Sequence, residues 1–142
     1  MAYASALKKL RRDRGGSAVS EFALVLPLLT LLLFGIVEFG TVTYSYSAMQ
    51  FGASRAARSF AVNTLDEAGA LAQARAVLPA WARDKVTLST SQSNPSDPNS
   101  NVIRVTLEVN ASDVSVMSFL TRAVDLPLKA EASVKQELRY VD

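Results

Sequence analysis

The hydrophobic and polar positions first mark out a long apolar run near the start of the 142-residue chain. Residues Phe22 to Val37, FALVLPLLTLLLFGIV, carry no charge over sixteen positions. Counted from Ser17, the segment has 21 residues, or about 31 Å of helix, which matches a hydrocarbon core of roughly 30 Å. Pro27 would break a soluble helix, but a membrane helix tolerates it with a kink. The pattern predicts a retained transmembrane helix at about residues 19–39.

A secretory signal peptide is the alternative interpretation of the same run, because it also combines a basic start with an apolar middle. Such a peptide needs a small-residue cleavage site of the A-x-A type after the apolar run. Residues 35–40, GIVEFG, are a poor substitute for that site. The retained helix is therefore the favoured interpretation.

Helical periodicity continues past the apolar run. Apolar residues recur at alternating steps of three and four, which predicts one helix from 17 to 62. A second row of small residues, Ala48, Gly52 and Ala56, would let another backbone approach closely. These rows pack against the protein's own outer domain, against helices of neighbouring subunits, or against both. The predicted packing row consists of Phe39, Val42, Tyr46, Met49, Ala53, Ala56 and Phe60.

A second helix is predicted between residues 63 and 84. Thr64 can cap its start, and Glu67, three residues later, would complete a capping box. Pro79 should kink or end this helix because it lacks an amide donor. Its predicted inner face is Leu71, Ala74, Leu78 and Trp81.

Strict alternation of apolar and polar residues predicts three strands, Lys85–Ser91, Val102–Asn110 and Pro127–Tyr140. Such alternation indicates an antiparallel sheet with one solvated face. Between the last two strands, VSVMSFLTRAV predicts a short helix or an irregular crossover, with Met117, Phe119 and Leu120 plugging the end of the core. The fold class is α+β: a long N-terminal helix that carries a head domain, residues 63–142, with a second helix and a three-stranded sheet.

Composition narrows the possible chemistry. The chain has no cysteine and no histidine, which excludes disulfides, thiol nucleophiles and Ser-His-Asp catalysis. Asn94, Asp97 and Asn99 do not have the spacing of a calcium loop, so a solvated turn is favoured there. We expect no catalysis, no cofactor and no metal site.

The positive charge is confined to the start of the chain. Residues 1–16 carry five Lys and Arg against Asp13, a net charge of +4, whereas the remainder carries ten cationic against twelve acidic residues, a net −2. No basic stripe is left to follow a phosphate backbone, so nucleic-acid binding is not expected. Because positive charge stays in the cytoplasm, the basic leader predicts a cytoplasmic N-terminus and an outer C-terminal head.

Glu21 stands at the entrance of the apolar run, directly after the sequence RRDRGGSAVS. At the interface a carboxylate is tolerated beside the positive end of the helix dipole. A cut between Gly16 and Ser17 would create a cationic partner for this acid, because the new α-ammonium group would lie four residues away on the same helix face. It could then pair with Glu21 of its own chain or of a neighbouring one.

The sequence RRDRGG/SAVSEF followed by an apolar run resembles the class III signal of type IV pilins and pseudopilins. The segment SEFALVLPLLTLLLFGIVEFG, from Ser20 to Gly40, is similar to the TadE-like minor pseudopilins of the tight-adherence (Flp) pilus. The resemblance implies a pilin-like head and cleavage by a prepilin peptidase between Gly16 and Ser17. It also implies that Glu21, as fifth residue of the mature chain, and Phe22 act in recognition and assembly.

The resemblance further implies the partners and the location. Expected partners are the prepilin peptidase, other pilins and pseudopilins, the pilus assembly platform and the bacterial inner membrane. The protein would be a single-pass inner-membrane protein, with its head outside the cytoplasm and incorporation into the pilus open. Two other hypotheses remain: a minor pseudopilin of a type II secretion system, and a single-span envelope protein with a small binding head.

Overall fold

The computed structural model describes residues 15–124 and 126–137. Residues 1–14 of the predicted leader, and the last three residues of the predicted third strand with those after them, lie outside this part. The chain forms two compact units, the first ending at Ile36 and the second beginning at Val37. One helix, α1 (Gly15–Ala61, 47 residues), contributes to both units.

The first unit presents the apolar run of α1 without a cover. Leu24 is 81% exposed, and the other large apolar side chains from Val19 to Val37 are exposed as well. Within the described residues, one helix is long and apolar enough to cross a membrane, a test that a signal sequence also passes. The structure is therefore compatible with single-pass membrane anchoring, and the predicted span of about 19–39 lies inside α1.

The second unit contains the three-stranded sheet that the alternating pattern predicts. Strands β1 (Thr87–Gln92), β2 (Val102–Asn110) and β3 (Pro127–Lys135) lie in the order β1-β2-β3, with both pairs antiparallel. The α+β class with a long N-terminal helix, a second helix and this sheet is confirmed.

Strand boundaries differ slightly from those expected. β2 agrees at both ends, β1 begins two residues later than predicted, and β3 ends at Lys135. On the solvated face, Lys129 lies opposite Glu108 in the register, with a 3.2 Å ion pair between them. The charged residues that alternate with apolar ones along these strands therefore pair across strands on the solvated face.

The second helix, α2 (Glu67–Ala76), starts later and ends earlier than predicted. Its N-cap is Asp66, whose carboxylate accepts a 2.8 Å hydrogen bond from the amide of Gly69. The predicted Thr64 cap is wrong, because that hydroxyl donates to the Ser59 carbonyl, and Glu67 accepts from Thr90 instead. Asp and Thr both cap helices well, so the sequence offered two starting points two residues apart.

A single core joins α1, α2 and the inner face of the sheet. From α2 and the segment after it, Ala74 and Leu78 are buried, Leu71 is half-buried, and Trp81 is 41% exposed. The predicted inner face thus holds except at Trp81. The core is made of Met49, Ala53, Ala56, Ala57, Ala70, Ala74, Leu78, Ala82, Val86, Val105, Leu107, Val109, Val114 and Ala130.

The connection from β2 to β3, residues 111–126, leaves the sheet and returns to it; it is called the β2–β3 excursion below. It starts with a single helical turn, α3 (Ala111–Val114), and its base is closed by a 2.8 Å hydrogen bond from the Ala111 amide to the Leu126 carbonyl. Residues 116–124, called the apolar loop below, follow α3. The predicted plug of Met117, Phe119 and Leu120 is wrong, because all three side chains are exposed.

Candidate functional site

The predicted processing site lies in the first turn of α1. Gly16 and Ser17 are exposed, and a side chain at Gly16 would meet nothing within 4 Å. The hydroxyl of Ser17 donates a 3.0 Å hydrogen bond to the carboxylate of Glu21, so the two residues share one helix face. Glu21 and Phe22 are both exposed. The predicted processing site is therefore exposed in the structure.

The predicted packing row divides into buried and exposed members. Met49, Ala53 and Ala56 are fully buried in the head, whereas Phe39 and Tyr46 are exposed. The remaining two residues, Val42 and Phe60, are half-buried. The row therefore packs against the head in its second half and leaves an aromatic flank uncovered.

Helix geometry explains the division. A row that alternates steps of three and four has a period of 3.5 residues, whereas an α-helix has 3.6 residues per turn, so the row drifts around the helix. At about 100° per residue, Phe39 lies about 80° around the helix from Met49. Glu38 lies only about 20° from Met49 and is on the buried face.

Gly52 lies where α1 and α2 approach each other closely. A Cβ at this position would lie 3.0 Å from the carbonyl oxygen of Ala74 and 3.0 Å from a methyl group of Val77. The small-residue row predicted from Ala48, Gly52 and Ala56 thus brings α2 of the same chain onto α1. Ser59 adds a polar contact, since its hydroxyl donates to the side-chain oxygen of Gln73 at 2.7 Å.

Glu38 is the functional candidate that the sequence did not single out. Its side chain is 1% exposed, and its carboxylate accepts four hydrogen bonds from the apolar loop. The amides of Phe119 and Leu120 donate to one oxygen at 3.1 and 2.8 Å. The other oxygen accepts from the amide and the hydroxyl of Thr121, at 2.7 and 2.6 Å. One carboxylate therefore holds three consecutive backbone amides of the loop.

This contact joins the residue that directly follows the apolar run to the middle of the connection between β2 and β3. Glu38 is the first charged residue after Glu21 and directly follows the apolar run. Its partners lie 81 to 83 positions further along the chain. A buried carboxylate is retained at low cost only when donors satisfy its lone pairs, as four donors do here. Two signals could have identified Glu38: its phase on the buried face, and a charge inside an otherwise uncharged stretch from Phe22 to Ser54.

An exposed aromatic pair lies one to two turns further along α1. Tyr44 and Trp81 stand with ring centroids 6.0 Å apart, and both are largely exposed. The indole nitrogen of Trp81 donates a 3.2 Å hydrogen bond to the buried hydroxyl of Ser45. That hydroxyl also donates to the Thr41 carbonyl at 2.8 Å. Trp81 is thus fixed at its polar edge while much of its ring stays uncovered.

The comparison with known families concerns α1. Residues 16–58 match the TadE-like protein family. The resemblance inferred from SEFALVLPLLTLLLFGIVEFG is confirmed over this segment, which includes Glu21, Phe22, Glu38 and the buried face of α1. The match covers 43 of the 142 residues, most of α1, and over them the chain is similar to TadE-like proteins. The comparisons with curated proteins and with solved structures gave no match.

Proposed function

We propose that this protein is a minor pseudopilin that a prepilin peptidase processes between Gly16 and Ser17, and that it acts in assembly or initiation of the tight-adherence pilus. The observation that carries the proposal is the open Ser17–Glu21 pair at the entrance of an uncovered apolar helix. A TadE-like match over residues 16–58 supports it.

Cleavage after Gly16 changes the electrostatics of the helix entrance. The cut creates an α-ammonium group on Ser17, whose side chain already bonds Glu21 at 3.0 Å. In an assembly, the same carboxylate pairs with the α-ammonium group of an adjacent subunit at low dielectric. Such a pair sets the axial register between subunits, because a charge left unpaired in a poorly hydrated place is costly.

The protein sits in the inner membrane as a single-pass protein, with the leader in the cytoplasm and the head outside. The net charge of +4 on residues 1–16 supports this orientation. It is a substrate of the peptidase and has no catalytic activity of its own. Its further partners are other pilins or pseudopilins and the assembly platform.

The exposed flank of α1 is the surface for neighbouring subunits. Phe39 is 74% exposed and Tyr46 is exposed beside the fully buried Met49. One face of α1 thus packs against the head, whereas the adjacent face carries exposed aromatic side chains. Aromatic residues are enriched where proteins associate, which supports helix-to-helix packing in a pilus.

Processing is tested by intact mass of the membrane-extracted protein, expressed with and without a prepilin peptidase. The expected product with the peptidase begins at Ser17, and the precursor persists without it. A product that keeps Met1, or that begins near Gly40, in peptidase-positive cells would contradict the proposal.

Gly16→Leu gives the residue-level version of this test, because a bulky group at the cut should leave the precursor intact. Gly40→Leu is the matched control, since both glycines lie in α1 and neither has an atom within 4 Å of an added Cβ. The control should be cut as the unchanged chain is. Equal cleavage of both variants would place the cut elsewhere.

A further inference from the structure

The apolar loop carries several large hydrophobic side chains that are exposed. Val116 is 60% exposed and Phe119 is 58% exposed, and Met117, Leu120 and Val124 are also exposed. Five of the nine residues from 116 to 124 are therefore large apolar residues in contact with solvent. A soluble monomer rarely keeps such residues together at its surface without a partner.

The exposure is built into the structure of the loop. The hydroxyl of Ser118 donates to the Ser112 carbonyl at 2.6 Å, and its amide donates to the hydroxyl of Ser115 at 3.0 Å. The base is closed between Ala111 and Leu126, and Glu38 holds the amides of residues 119–121. These polar contacts use backbone groups and hydroxyl groups of the loop, and its large apolar side chains stay exposed.

The attachment point determines where this surface lies along α1. Glu38 directly follows the apolar run, so the loop is held at the level where the membrane-compatible part of the helix ends. Tyr44 follows five residues after the predicted end of the span at about residue 39, about 7.5 Å further along the helix, and contacts the exposed Trp81. The polar layer on each side of the hydrocarbon is roughly 5–8 Å thick, and Tyr and Trp concentrate there.

We propose that the apolar loop inserts into the interfacial layer of the membrane that α1 crosses, with lipid as its partner. Val116, Phe119 and Val124 contact the upper acyl chains, and the exposed Arg122 binds lipid phosphate. Glu38 is the positioning residue, since it fixes the loop at this level. The inference rests on the single-pass anchoring in the proposed function and not on pilus assembly.

Lipid is the occupant that the observations favour over a second protein. The loop is attached, through Glu38, directly after a helix segment that is long and apolar enough to cross a membrane. It combines apolar side chains with one exposed cation, the composition of interfacial membrane segments.

The test uses the full chain, one copy per nanodisc, in phosphatidylethanolamine and phosphatidylglycerol. Because the chain has no cysteine, single cysteines can be labelled with a fluorophore without removing native ones. The probe is Val124→Cys, and the control is Ser96→Cys. Ser96 is exposed in the turn between β1 and β2, at the opposite end of the sheet from the β2–β3 excursion.

Nitroxide lipids labelled near the headgroup should quench the Val124 probe at least about threefold more than the Ser96 probe, and aqueous iodide should do the reverse. The double substitution Phe119→Ser, Leu120→Ser keeps the backbone contacts to Glu38 and should reduce lipid quenching at Val124 by half or more. Equal behaviour of the Val124 and Ser96 probes would overturn the proposal.

A third probe, Leu29→Cys, separates this inference from the anchoring on which it rests. Deep nitroxide lipids should quench it. Quenching at Leu29 with a water-exposed Val124 probe would leave the anchor in place and overturn the lipid contact. No quenching at Leu29 would overturn both. A water-exposed Val124 probe that cross-links to a protein in pilus-forming cells would replace lipid by a protein partner and also overturn the proposal.

Discussion

At the scale of single residues, α1 contains two carboxylates whose surroundings are opposite. Glu21 is exposed and bonds only a hydroxyl four residues away among the described contacts, whereas Glu38 is buried under four donors. The first is available to a partner outside the chain, and the second is fully used inside it. Their substitutions should therefore affect different properties.

Glu21→Gln keeps the shape of the side chain and removes its charge. If the carboxylate pairs with the α-ammonium group of an adjacent subunit, that cation is left unpaired, at a cost of about 3–5 kcal/mol. We expect a cleaved, membrane-resident protein, with piliation lost or sharply reduced in electron micrographs. Cleavage must be verified first by intact mass, and normal piliation by the cleaved variant would rule out an assembly contact.

Glu38→Gln should instead destabilise the head. The amide group of Gln presents donors to backbone donors, so at least one buried N–H loses its acceptor, and the charge-assisted bonds are lost. We expect a loss of about 2–4 kcal/mol, or a fall in Tm of about 10 °C or more. The fluorescence of Trp81, the single tryptophan, reports unfolding of the head in nanodiscs.

Glu108→Gln is the matched control for this measurement, because Glu108 is an exposed member of a surface ion pair with Lys129. Exposed ion pairs contribute about 0–1 kcal/mol. A Glu38→Gln variant that melts together with the Glu108→Gln control would show that the loop contact does not stabilise the head.

At the scale of elements, strands were easier to predict from sequence than the contacts of helices and loops. The alternation of apolar and polar residues in β2 predicts both ends of the strand, because one face of the strand is buried and the other is solvated. Glu38 was missed because its partners are backbone amides, which have no residue signature, in a segment more than 80 positions away. The sequence predicts Met117, Phe119 and Leu120 in the core, although all three are exposed, because hydrophobicity alone does not tell whether a side chain is buried.

The contact between α1 and α2 gives the prediction at this scale. Gly52→Val would place atoms against the Ala74 carbonyl, which belongs to the α2 backbone and cannot move without shifting that helix. Overpacking of this kind costs about 1–3 kcal/mol. Gly40→Val is the control, because nothing lies within 4 Å there. The two variants are compared by thermal unfolding, and equal Tm values would contradict close packing at Gly52.

At the scale of the whole molecule, the net charge of +4 on residues 1–16, ahead of the apolar run, predicts that the C-terminal head lies outside the cytoplasm. A reporter enzyme that is active only outside the cytoplasm, fused after Asp142, should be active in intact cells. The matched fusion after Arg14, which lacks the apolar run, should be inactive. An inactive Asp142 fusion, with a cytoplasmic reporter active at the same position, would reverse the predicted topology.

The alanines at the helix interface have a consequence for how this protein can vary. Ala53, Ala56 and Ala57 of α1 and Ala70 and Ala74 of α2 have no exposed surface. A larger residue at any of them needs room that the packed core does not have, whereas a smaller one is limited to glycine. Adaptation to new partners is therefore expected at the aromatic flank of α1 and in the turns of the sheet, while the helix interface tolerates almost no exchange.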